Sequence, residues 1–238
     1  MDIDTKKLKE NIIKMSSLVE EALSQVSHKE KIGEHIQAIE DQINHFHTEI
    51  DDLCFKYLAL IRPVAKDLRT TIAIMKINNE LERIGDEVVN IKRFQQYSLH
   101  NSFPQLVTMI SEVNKMVINS MDSFVHKNIK QAMSVIQNDQ VVNDLNRSVI
   151  QSFFEGVKSN NFSINDGFNL VLVAKSLERI GDHATNIAED VIFLISGDDV
   201  RHPEAPKEKQ NTNENKAQKD ISIVSFLSHK KENSDKRN

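Results

Sequence analysis

The sequence predicts an all-α fold: two tandem, pseudo-symmetric three-helix bundles followed by a disordered, polar C-terminal tail. Three observations carry that prediction. Apolar residues recur at alternating spacings of three and four over long stretches, the mark of amphipathic helices packed along a seam. Only six Gly and four Pro occur in 238 residues, with no Trp and two Tyr, which argues against a turn-rich β protein. A stretch of six identical residues, Leu-Glu-Arg-Ile-Gly-Asp, occurs at both 81–86 and 177–182, so the chain is internally duplicated.

The first periodic stretch runs through Leu8, Ile12, Met15, Val19, Ala22 and Val26. A cleaner second one runs through Ile32, Ile36, Ile39, Ile43, Phe46, Ile50, Leu53, Tyr57 and Leu60. Pro63 then disfavours helical backbone at Arg62 and marks a break. The third helix carries Val64, Leu68, Ile74, Ile77, Leu81, Ile84, Val88 and Ile91 to about Tyr97. The polar stretch from Ser98 to Pro104 links the halves.

The fourth helix carries Leu106, Ile110, Val113, Val117, Met121 and Phe124, and Asn128 is placed to cap the fifth. That fifth helix shows Ala132, Val135, Val142, Leu145, Val149 and Phe153, and stops in the loop Gly156 to Asn161. Ser163 is the expected N-cap of the sixth, with Asp166 three residues on. The sixth carries Leu170, Ala174, Leu177, Ile180, Ala184, Ile187, Val191 and Leu194 and ends before Gly197. Long helices joined by short turns fold back antiparallel, so the division is one bundle over 1–100, a second over 101–202, and a flexible tail over 203–238. The tail is too poor in apolar residues to offset its ordering entropy, apart from the island Ile221 to Leu227.

The totals exclude several classes. A single Cys, Cys54, permits no internal disulfide and fits a reducing cytosol, where it reads as a small core residue. No signal-like segment and no run of membrane-span length occur, and a net charge of −5 gives no reason to expect nucleic-acid binding. The common phosphate-loop and hydrolase signatures are also missing.

The chemistry lies in the duplicated stretch. Residues four apart share a helix face, so Glu82, Asp86 and Asn90 form one oxygen-rich stripe and Glu178, Asp182 and Asn186 its twin. Gly85 and Gly181 stand in mid-helix, where Gly costs about 1 kcal/mol relative to Ala, which implies close approach of another element. Arg83 and Arg179 stand where they can order the carboxylates by bidentate hydrogen bonds. Aligning Ile36, Ile43, Phe46 and Ile50 with Val135, Val142, Leu145 and Val149 sets Glu40 in register with Asp139, each followed by an Asn, Asn44 and Asn143. Both acids fall on the seam, an expensive place for an unpaired charge.

Converging carboxylates repel unless a cation or protons neutralise them. Hard oxygen donors suit magnesium, calcium, manganese or iron rather than a Cys/His zinc site. For a single stripe the simpler reading is a helix surface salt-bridged by Arg83 and Arg179; its duplication favours metal. His45 and His47 read as surface residues pointing apart, and His183 as facing away from the stripe.

These residues resemble the PhoU family of phosphate-signalling regulators across 1–202. The matching stretches are Pro63 to Arg69, Leu81 to Asp86, Leu177 to Glu189 and Val191 to His202. The resemblance implies a non-catalytic regulator that restrains the phosphate-starvation response from the cytoplasm, or peripherally at the inner face of the membrane through its partners. Those partners are the ATPase subunit of a phosphate ABC transporter and a sensor histidine kinase, with a homodimer open. It also implies multinuclear metal sites on Glu82/Asp86 and Glu178/Asp182, with iron, manganese, magnesium or zinc as the ion. Asn44 and Asn143 stand where that family often has Asp, which lowers the site charge. Two other readings compete. One is a ferritin-like di-iron oxidoreductase, whose Glu-x-x-His pairs are absent; the other is a metal-free helical adaptor.

Overall fold

The computed structural model describes residues 5–26, 34–94, 104–161 and 163–197. Six α-helices follow in order: α1 (Thr5–Val26), α2 (Glu34–Ile61), α3 (Ala65–Phe94), α4 (Pro104–His126), α5 (Ile129–Lys158) and α6 (Ile164–Ser196). Helices α1 to α3 form one three-helix bundle and α4 to α6 a second. The expected positions Ile32 and Tyr97, the link 98–103 and the tail 203–238 lie outside the described residues.

Each seam is buried as its spacing demands. In α1 Leu8, Ile12, Met15 and Val19 have no exposed surface, and in α4 Leu106, Val113, Met116 and Val117 have none. Fully burying one such aliphatic side chain contributes about 1.5–3 kcal/mol, so packing rather than helix propensity holds these elements.

The turns follow local chemistry. After α2 the chain breaks at Arg62–Val64, with Arg62 and Ala65 in the left-handed region at φ 51° and 41°. Helix α4 ends on Lys127, also left-handed at φ 51°, and the Asn128 amide donates to the Ser123 carbonyl at 3.0 Å. The Asn128 side chain then accepts from Gln131 N at 3.3 Å, the expected N-cap of α5. Helix α5 runs to Lys158, within the predicted stop at Gly156 to Asn161, and Asn160 turns at φ 54°. Helix α6 ends at Gly197, whose φ of 82° suits Gly alone.

One seam begins later than its spacing suggests. Val64 and Leu68 are 77% and 38% exposed, and burial in α3 starts at Thr70, Thr71 and Ala73. The first two turns of α3 extend past the apolar faces that would have covered them.

The halves meet through the motif helices. Lys76 pairs with Asp190 at 3.1 Å, Glu80 with His183 at 2.7 Å, and Glu87 with Arg179 at 3.0 Å. Rising numbers on α3 meet falling numbers on α6, so the two run antiparallel and bring the two copies of the motif side by side. Lys76 also lies 5.2 Å above the ring of Phe193, and Arg69 lies 6.0 Å from it.

Candidate functional site

In the first half, Glu82 and Asp86 of α3 stand near Glu40 of α2. Partial burial pushes the Glu82 carboxyl above its ordinary value, and the charges of Asp86 and Glu40 push the same way against His47 and Arg83. The second half repeats the arrangement with Glu178 and Asp182 of α6 and Asp139 of α5. There desolvation, then the charges of Asp139 and Glu178, push Asp182 up to about 6 against Lys175 and His183. A carboxyl raised by its neighbours is the electrostatic sign of anions crowded without full compensation.

Glu40 and Asp139 sit half-buried at the edge of their seams rather than within them. Each is held by the amide one turn further on: Asn44 donates to Glu40 and Asn143 to Asp139, both at 2.8 Å. This is what the asparagines do in place of acids. An amide N–H bonds a carboxylate that a second carboxylate would repel.

The arginines act differently from expectation. Arg83 lies 3.8 Å from Glu80, and Arg179 reaches across to Glu87 at 3.0 Å. Neither forms a bidentate pair with its own stripe: Arg83 turns back along α3 to Glu80, and Arg179 leaves α6 for Glu87 of the neighbouring half. Glu178 instead pairs with Lys175.

The amides of the stripes divide as well. Asn90 donates to Glu87 at 3.4 Å, while Asn186 donates to Glu80 at 3.0 Å across the junction. Both therefore bind the α3–α6 contact rather than the carboxylates one turn earlier.

His183 corrects the reading that turned it away. It lines a cleft of about 420 Å³ between α3 and α6, together with Arg83, Asp86, Glu87, Asn90, Arg179 and Asp182. Its Nδ1 meets Glu80 at 2.7 Å. Burial would raise Glu80, but bonds from His183 and Asn186 and the charges of His183 and Arg83 hold it below its ordinary value. His47 is likewise half-buried, 3.1 Å from Asn79 and 3.8 Å from Asp51, with its charge felt at Glu82. Glu80 and Glu87 were missed because they lie outside the identical residues. The signal was available: superimposing the repeats sets Glu80 against Ser176 and Glu87 against His183, the positions where charge differs.

Close approach accounts for Gly85 more than for Gly181. A Cβ on Gly85 would lie 3.2 Å from Ile43 Cδ1 of α2, and one on Gly181 3.4 Å from Val142 Cγ1 of α5. Close packing here draws the acid of the preceding helix toward the stripe in each half.

As they stand, no three His, Cys, Asp or Glu side chains among the described residues come close enough to hold one metal ion. The donors are nonetheless all oxygens crowded by like charge, which fits a hard cation once side chains rotate inward.

Comparison with known proteins places this duplicated architecture. The PhoU domain model matches residues 5–94 and again 106–191, one match per bundle. The chain belongs to the PhoU family. The PhoU homolog of Pseudomonas aeruginosa, a phosphate-specific transport system accessory protein, is 31% identical over 221 residues, covering 89% of this chain and 91% of its own. The crystal structure of PhoU from that organism superimposes with a TM-score of 0.77 at 30% identity, covering 81% of this chain and 97% of that one. The phosphate transport system regulatory protein PhoU from Streptococcus pneumoniae gives a TM-score of 0.75 at 26% identity, covering 82% and 96%. PhoU membership makes the chain a non-catalytic regulator in phosphate signalling, and the ferritin-like oxidoreductase reading falls with it. No helix among the described residues is long and apolar enough to cross a membrane.

Proposed function

We propose that this PhoU protein is a metal-binding regulator of phosphate uptake and of phosphate-starvation signalling. It would restrain a sensor kinase and response-regulator pathway and modulate a phosphate ABC transporter through its ATPase subunit. The observation that carries the metal reading is the twinned crowding of acids: beside desolvation, which raises both carboxyls most, Asp86 and Glu40 act on Glu82, and Asp139 and Glu178 on Asp182.

A bound cation would supply positive charge, held by Glu82, Asp86 and Glu40 in one half and by Glu178, Asp182 and Asp139 in the other. The protein side of this is mechanical. Each set takes its acids from two helices, so neutralising them ties α2 to α3 and α5 to α6. To join the set, Glu178 must leave Lys175, and Glu40 must release the oxygen that the Gln37 amide holds while keeping the other for Asn44. Iron, manganese, magnesium or zinc are the candidate ions. Binding to the folded form alone would stabilise it by mass action.

Elemental analysis of protein purified without chelator tests the reading. The Glu178→Ala/Asp182→Ala double variant, shown to remain helical by circular dichroism, is expected to lose about half of the metal, since one of two like sites is removed. Unchanged metal content overturns the assignment. A metal-free adaptor is the second reading, favoured by the pairing of Glu178 with Lys175; metal-free protein from the same preparation would establish it.

A further inference from the structure

The α2–α3 turn carries an exposed group of large apolar side chains that neither the bundle core nor the acidic stripes account for. Phe55 is 58% exposed, Leu60 73%, Ile61 55% and Val64 77%. Leu68 and Ile72 continue the group at four-residue spacing along α3, opposite buried Thr70. Large apolar side chains exposed together around one turn mark a docking site more readily than singly scattered ones. The backbone supports that reading. Arg62 and Ala65 both adopt left-handed conformations on either side of Pro63-Val64, and neither residue is of a type that favours them.

Charge decides what docks there. Arg62 and Lys66 are exposed beside Val64, and Lys56 is exposed one residue after Phe55. Lys9 of α1 feels the charge of Lys66, and that of Lys127 of the α4–α5 turn; after burial, both lower its ammonium. Among the described residues the facing acids are Asp52, paired with Lys56, and Asp67. The excess is therefore cationic around an aliphatic tip.

The second half contains a built-in comparison. Phe154, Ile164 and Phe168 are 58%, 64% and 51% exposed at the equivalent α5–α6 turn. There Lys158 is offset by Glu155, and the left-handed residue is Asn160, a type that tolerates it. The duplication has kept apolar exposure at both ends but basic charge at one.

We propose that the α2–α3 turn is a membrane-docking tip that inserts Leu60, Ile61 and Val64 into a bilayer surface bearing anionic phospholipid, with Arg62 and Lys66 on the headgroups. An aliphatic tip ringed by Lys and Arg is the pattern of interfacial anchoring. The proposal does not depend on the metal reading.

Vesicle co-sedimentation with the full chain tests it, using phosphatidylcholine alone and phosphatidylcholine mixed with phosphatidylglycerol. The chain is expected to bind the anionic vesicles, to bind neutral ones far less, and to be released by salt. Leu60→Ser/Val64→Ser should weaken binding roughly tenfold or more, because each buried aliphatic side chain contributes on that scale. Arg62→Gln/Lys66→Gln should also weaken it, while Phe154→Ser/Phe168→Ser should leave it intact. All these residues are solvent-facing, and unchanged circular dichroism will confirm that each variant is folded. No binding to anionic vesicles overturns the proposal and makes the tip a protein-docking surface. Binding that survives both α2–α3 variants overturns it equally, by placing the lipid contact elsewhere on the chain.

Discussion

Glu80 of α3 meets His183 of α6 at 2.7 Å, joining the two halves of the duplicated chain through a pair that the duplication itself did not supply. The position equivalent to Glu80 in the second half is Ser176, and that equivalent to His183 in the first is Glu87. Asn186 adds a second bond to the same Glu80 oxygen at 3.0 Å.

Removing Glu80 should therefore loosen the junction. Glu80→Ala leaves His183 and Asn186 without their acceptor, at a cost of about 2–3 kcal/mol for partly buried charged hydrogen bonds. Glu80 is held below its ordinary value of 4.5, so its contribution is present above that pH and is lost as pH falls through its lowered folded value. Urea unfolding of wild type and Glu80→Gln between neutral and acid pH should show a gap that closes on acidification.

Asp182 should behave with the opposite sign. Its folded value is raised from 3.8 to about 6, so the folded state binds the extra proton between those values. Its stabilising contribution is full below the lower value and is lost as pH rises through the upper one. In chelator-treated protein, the melting temperature of wild type should fall across that window relative to Asp182→Asn. A variant that tracks wild type at every pH would show that the acids do not crowd.

The two motif glycines should respond differently to one substitution. At Gly181 a new Cβ meets Val142 at 3.4 Å, an ordinary contact, so Gly181→Ala should gain about 1 kcal/mol from helix propensity. At Gly85 it meets Ile43 Cδ1 at 3.2 Å inside a fully packed seam, and Ile43 must shift to admit it. Gly85→Ala should gain less than Gly181→Ala or lose stability, as chemical denaturation will show.

Cys54 should be chemically silent. Burial, with the charge of Asp51 adding to it, pushes the thiol up to about 12, and the side chain has no exposed surface. Iodoacetamide should label it only under denaturing conditions, since the thiolate is the reactive form. Rapid labelling of the native chain would mean that the α2 seam opens readily.

How far the site could be read in advance follows from what repeats and what does not. Glu82, Asp86, Glu178, Asp182 and both glycines announce themselves because they are identical in two copies. The register of Ile36 to Ile50 against Val135 to Val149 likewise finds Glu40 and Asp139, whose charges act on Glu82 and Asp182. Arg179 was legible as a partner but not as to which acid it serves, because helical spacing says nothing of a neighbouring helix.

The sequence by itself determined the six helices, their breaks at Pro63 and Asn128, and the duplicated acidic stripes. Periodicity, capping and identity are local properties that a linear chain carries openly. Only the tertiary structure decided that α3 and α6 pack antiparallel, that His183 and Arg179 reach across to Glu80 and Glu87, and that Val64 and Leu68 face outward. The physical reason is that an apolar spacing specifies a face, while what covers that face depends on where another helix begins and ends.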